Sequence, residues 1–176
     1  LRATDILKAL KPHVPQDAFC VLGVTMEDIY PDAAWNYASG FASFKERVGV
    51  YSFFRYSEGF FGVSPSPEFN KLFLLRSAKV LSHETSHMFG LEHCIYYKCI
   101  ENGFNYTEEM DSRPLILCPV CLRKLQHGAG FDIASRYKVL EQFYRRHGFT
   151  IEADWIASRL KKIRQRAPAP EIKRGK

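Results

Sequence analysis

Five residues spaced as His83-Glu84-x-x-His87-x-x-Gly90-x-x-His93 have the types and separations to hold a metal ion and move a proton. Residues four apart on a helix share a face, so the imidazoles of His83 and His87 can reach one ion. Glu84 projects slightly round the same helix, close to a water on that ion without being forced onto the ion itself. A helix running straight past His87 would carry the chain away. Gly90 can take positive φ, end the helix and send the chain back, so that His93 supplies a third nitrogen from outside it. Three neutral imidazoles leave a fourth position for water, the arrangement of a catalytic rather than a structural zinc site. Zinc lowers the pKa of that water and polarises a carbonyl. Glu84 is then the expected general base, passing the proton to a leaving amine. The competing reading, three solvated or core histidines, must ascribe all five positions to chance.

A second cluster follows at once: Cys94, Cys99, then Cys118-Pro119-Val120-Cys121. Two short-spaced pairs suit a tetrahedral thiolate site whose four ligands close the shell, so this second zinc ion is expected to be structural. A redox reading of Cys118 and Cys121 leaves Cys94 and Cys99 unexplained. Cys20, alone in a strand-like run, reads as a small buried hydrophobe. Five cysteines are too few for a disulfide scaffold. Their grouping beside histidines points to a reducing compartment, hence an intracellular location, cytoplasmic or nuclear.

The elements that must position these residues follow from pattern. A long stretch over 72–90, with no Gly or Pro inside it before the closing Gly90, predicts the helix carrying the histidines. Before it, Thr4 caps a short helix that Pro12 stops, and strands are expected over 18–25 and 48–56. Residues 28–43 read as a Tyr-Pro-Asp turn with a short helix, and 59–67 as loop. Residues 94–124 read as a metal-held loop region. Two amphipathic helices follow over 133–147 and 151–164, with Tyr137, Leu140 and Tyr144 on one stripe and Trp155, Ile156, Leu160 and Ile163 on the other. After Arg166, Ala-Pro-Ala-Pro breaks the helix. The expected division is 1–93, an N-terminal sheet-and-helix part; 94–165, a cysteine-zinc part with helices; and 166–176, a disordered basic tail. The architecture is α/β (α+β), with a small sheet and a cleft between the halves, along whose sheet edge a peptide could lie extended.

With 176 residues, 46% hydrophobic and 14% aromatic, the chain has enough apolar material for one compact domain and excludes wholesale disorder. No apolar run approaches the roughly 18–20 residues of a membrane span, so no membrane partner is expected. The chain opens on Leu1 rather than Met, as a fragment or processed form would. The net charge of +6 is local: residues 159–176 hold eight basic residues against Glu171, leaving −1 for the first 158. With no aromatic residue among those basic ones, a nucleic-acid role is not expected. His13, His127 and His147 lack ligand spacing. Arg76 and Lys79 suggest structural ion pairing, and Tyr96, Tyr97 and Tyr106 are candidates for an oxyanion donor or for packing on the cysteine site.

The joint pattern of His83, Glu84, His87, Gly90, His93, Cys94, Cys99, Cys118 and Cys121 resembles the archaemetzincin family. Arg113-Pro114-Leu115 and Leu122-Arg123-Lys124-Leu125-Gln126 look like its animal-type members. The motif covers 83–121, and more diffuse similarity runs from about Phe19 to Tyr137. The resemblance implies a metzincin-like zincin fold with a small mixed sheet, an active-site helix and a zinc-stabilised C-terminal part. It also implies a zinc metalloprotease with two zinc ions, acting on peptides or unstructured protein segments, and a monomer is expected. The alternative is a catalytically weak or inactive two-zinc binding or scaffold protein. One departure bears on that choice. The family carries Met two residues after the second cysteine, beneath the catalytic zinc, where this chain has Glu101. Either the floor is rebuilt, or Glu101 touches a metal or a histidine, or it acts from behind the ligands.

Overall fold

The computed structural model describes residues 1–166, which fall into two compact units, residues 1–129 and the chain from Gly130 onward. The expected division at 93/94 differs from this one. The cysteine-bearing segment lies in the same unit as the histidine-bearing helix, because its backbone returns to that helix. The tail from residue 167 lies outside the described residues.

In the first unit, α1 (Ala3–Leu10) leads into a single 3₁₀ turn at Lys11–His13. Arg2, not Thr4, occupies its cap, without a side-chain bond. Three strands follow: β1 (Val21–Thr25), β2 (Gly40–Ser43) and β3 (Val48–Ser52). Their order is β1-β3-β2, with β1 parallel and β2 antiparallel to β3, so the sheet is small and mixed. β3 is buried throughout because it is central and covered on both faces. Alternation splits its side chains. Val48 and Val50 join Ala3, Leu7 and Ile29 in the core under α1, while Gly49 and Tyr51 face the other way.

The helix expected in 28–43 does not form. That segment instead supplies β2 and an antiparallel bridge from Ile29 to Ala38, since apolar residues there pair with β3 rather than repeat with helical period. The expected strand over 48–56 stops at Ser52 and turns through Phe54–Tyr56. Within 59–67, α2 (Glu58–Phe61) forms one turn, capped by Ser57 and closed by Gly62.

α3 (Pro67–Met88) begins earlier than expected because Ser66 caps it and Pro67 sits in its first turn, both favourable helix-start chemistry. Val80 on α3 packs with Tyr56 and Met110 in a second core cluster. α4 (Thr107–Asp111) and α5 (Pro119–Ala129) complete the unit. Arg76 pairs with Asp111 at 2.6 and 3.1 Å, and Lys79 Nζ donates to the Met110 and Asp111 carbonyls, so the C-terminal end of α4 is fastened to α3.

In the second unit, α6 (Ile133–Arg146), capped by Asp132, and α7 (Thr150–Arg166) pack on each other through Tyr137, Tyr144, Ala153, Ile156 and Leu160. No helix among the described residues is long and apolar enough to cross a membrane.

Candidate metal centre and cleft

His83 and His87 lie one turn apart near the end of α3. His83 Nδ1 donates to the Ile100 carbonyl at 2.8 Å and His87 Nδ1 to the Leu91 carbonyl at 2.6 Å. A carbonyl can only accept, so each proton sits on Nδ1 and each Nε2 carries a lone pair. Those two Nε2 atoms face each other at 3.1 Å. Two lone pairs at that distance repel unless a cation lies between them. Nitrogens each about 2.0–2.1 Å from one tetrahedral zinc would stand roughly 3.3 Å apart. Burial pushes His83 down to about 4 and lowers His93 as well, with His87 adding to both effects, which keeps these rings neutral.

The third ring arrives through the turn after α3. Gly90 has φ 81°, its N–H bonds the His87 carbonyl at 2.8 Å, and the Leu91 N–H reaches back to Ser86 at 3.2 Å. This is a Schellman closure, and it brings Leu91 O under His87 and turns His93 inward. The three imidazoles offer ligand atoms all within 4.8 Å of one another. Gly103 makes room for His93, since a Cβ there would sit 3.1 Å from its Nδ1.

Glu84 lies beside this triad, packed on the start of β2. A Cβ on Gly40 would stand 2.9 Å from both Cγ and Cδ of Glu84 and 2.7 Å from the Tyr51 ring. Burial raises the Glu84 pKa, with His87 opposing. His83, Glu84 and His93 line a cavity of about 660 Å³, together with Tyr37, Gly40, Arg55, Tyr56 and Tyr106 among others. All of its walls belong to the first unit. Of the three candidate tyrosines only Tyr106 lines it; Tyr96 is 83% exposed.

Cys94, Cys99, Cys118 and Cys121 also bring their sulfurs within 4.8 Å of one another, and all are free thiols. Cys94 Sγ and Cys118 Sγ stand 3.9 Å apart, against roughly 3.8 Å for two thiolates on one tetrahedral zinc. The Cys118 and Cys121 amides donate to the Cys99 and Cys118 sulfurs at 3.2 and 3.4 Å. Burial drives Cys99 up to about 11 and raises Cys121, a cost that a bound cation removes.

The sequence profile of peptidase family M54 matches residues 2–127, most of the chain. This chain belongs to peptidase family M54. Human archaemetzincin-2 is 45% identical over 162 residues, covering 80% of this chain and 45% of that protein. Human archaemetzincin-1 is 38% identical, covering 80% and 33%. The chain thus spans less than half the length of these curated relatives. The crystal structure of archaemetzincin from Methanopyrus kandleri superposes with a TM-score of 0.59 at 31% identity, over 74% of this chain and 66% of that one.

Within this M54 chain, Glu101 is fully buried. Its Oε2 lies 4.0 Å from His87 Nδ1, and neither carboxylate oxygen has a hydrogen-bond partner among the described residues. Burial pushes it up to about 8; nearby Ser86 pulls it down, while Glu84 and Cys94 push it further up. Among the expected alternatives, proximity to a histidine is present. Sequence reasoning missed Gly40, Gly103 and Asn102. Asn102 Oδ1 accepts from the Cys99 amide and Nδ2 donates to the Cys94 and Tyr97 carbonyls, closing the Cys94–Cys99 loop. The Asn102-Gly103 pair was the available signal, because that dipeptide marks a turn.

Proposed function

We propose that this chain carries the hydrolytic site of a zinc-dependent peptidase, with His83, His87 and His93 holding the catalytic zinc and Cys94, Cys99, Cys118 and Cys121 a structural one. The observation that carries this reading is the 3.1 Å approach of two Nε2 lone pairs whose protons are committed elsewhere. Zinc, when bound there, supplies Lewis acidity that polarises a peptide carbonyl and makes water acidic near neutral pH. Glu84 Oε accepts the proton of the attacking water and delivers it to the leaving amine nitrogen. Its raised pKa makes it a better base for the first half of that transfer, and Gly40 leaves room for the carboxylate beside the start of β2. β2 is an edge strand, so an extended peptide can add to its free side and pass the cavity. Four cysteines grouped as thiolate ligands support a reducing, intracellular location.

The test is metal quantification with digestion of a broad peptide library. The expected result is about two zinc ions per chain, cleavage by the parent protein, and a loss of roughly 10²–10⁴-fold in Glu84→Ala with zinc retained. Glu101 in place of Met favours one other reading, a two-zinc binding or scaffold protein. Two bound zinc ions with no cleavage of any library member decides for it.

A further inference from the structure

Arg55 lines the same cavity as His83 and Glu84, and among the described residues it is the one side chain on that wall with a full positive charge. Its guanidinium is fixed on two sides. Nε donates to Asp28 at 2.9 Å and Nη2 at 2.7 Å, and Cζ stands 3.7 Å over the centre of the Tyr37 ring, with Phe60 at 5.3 Å. That pairing uses one edge of a five-donor fork. Among the described residues, Nη1 makes no hydrogen bond, so a second edge remains for a planar acceptor. Asp28 offsets the charge but does not use up these donors, and the side chain is already ordered before anything binds. Glu84 on the same wall repels a carboxylate, so among the described residues Arg55 is the side chain lining this cavity that can attract one, apart from a metal held by the histidines.

We propose that Arg55 forms a carboxylate subsite of the cleft, so that favoured peptides carry a carboxylate reaching this guanidinium; the proposal rests on the peptidase reading above. The carboxylate belongs either to an Asp or Glu side chain or to the peptide C-terminus. Arg55 is a specificity determinant here and takes no part in proton transfer.

The experiment compares matched peptides on the zinc-loaded full chain: Asp against Asn at successive positions, and free acid against amide at the C-terminus. The parent protein is expected to prefer one carboxylate-bearing member by about 10- to 100-fold in kcat/KM, expressed in KM, the range of a charge-assisted hydrogen-bond pair. Arg55→Gln removes that preference, so that carboxylate-bearing and neutral members of each pair are cleaved alike, while Arg55→Lys keeps part of it. The Asp/Asn series identifies a side-chain carboxylate and the acid/amide pair a terminal one. A uniform loss on all peptides with the preference intact reveals a purely structural Arg55 and overturns the proposal, as does a parent protein without preference. Fluorescence anisotropy of the same labelled peptides on zinc-loaded Glu84→Gln runs in parallel, with and without the Arg55 substitution. If the parent cleaves nothing, the peptidase reading fails, and this arm alone decides whether the carboxylate preference exists and needs Arg55. Should Arg55→Gln not fold, Asp28→Asn provides the second variant: it keeps the guanidinium, removes its offset, and is expected to tighten carboxylate binding severalfold. Weaker or unchanged carboxylate binding there overturns the proposal.

Discussion

His83 Nδ1 is held by the carbonyl of Ile100 at 2.8 Å, and Ile100 is the residue immediately after Cys99. The two candidate metal sites are therefore joined through one residue, Ile100. The Cys94 amide also bonds the Glu101 carbonyl at 2.8 Å, and the Ile100 amide bonds Ile116 O at 2.9 Å, so the cysteine loop and the histidine support are one piece of backbone. Whatever orders the four sulfurs also sets the tautomer and aim of His83.

Loss of the cysteine-bound ion should therefore be felt at the histidines. Cys99→Ser is expected to lower zinc affinity at the histidine site by about 10- to 100-fold, as removal of an orienting partner does. Competitive chelator titration of both sites checks this, and unchanged affinity at the histidines would show that the Ile100 carbonyl holds its place unaided.

Gly40→Ala places a methyl within 2.9 Å of Glu84 and 2.7 Å of Tyr51. Tyr51 is fully buried and has little room to yield, so Glu84 should swing away. Turnover is expected to drop on the order of 10²-fold with zinc content unchanged, the usual cost of misplacing a catalytic group by about 1 Å. Equal turnover in the variant would mean Glu84 is free to choose its position.

Gly90 illustrates a different kind of constraint. A Cβ there meets nothing within 4 Å, but φ is 81°, so Gly90→Ala suffers only backbone strain. Destabilisation of about 1–2 kcal/mol is expected, with weaker zinc binding because Leu91 O and His93 both depend on the turn. Thermal melts with and without chelator separate the two effects.

Glu101 contributes an opposing term. Its folded-state pKa stands near 8, above its ordinary 4.5, so the metal-free fold binds more protons than the unfolded chain across that window. The contribution is thus most favourable below about pH 4.5 and is lost as pH rises toward 8. Glu101→Met should stabilise the metal-free protein at pH 7 by about 1–3 kcal/mol and flatten that part of the pH dependence. Denaturant melts between pH 5 and 8 measure both, and a variant less stable at pH 7 would indicate that the carboxyl has found a partner.

The grouping of the three histidines and of the four cysteines, and the helix bearing His83 and His87, were legible in the sequence because they depend on short-range geometry. A four-residue step puts His83 and His87 on one face, a glycine after the helix permits the reversal, and Cys-x-x-Cys forms a knuckle wherever it stands. The mixed sheet under an active-site helix was likewise implied by the family resemblance. Strand β2 and the single-turn helices α2 and α4 were not legible, since four or five residues are too few to show a period. Only the tertiary structure decided that Gly40 faces Glu84, that Ile100 and Leu91 supply the carbonyls fixing both imidazoles, and that Arg55 shares their cavity. Apart from the His87–Leu91 contact, which the turn at Gly90 makes locally, each of these joins residues whose separation in sequence carries no information, and packing selects them.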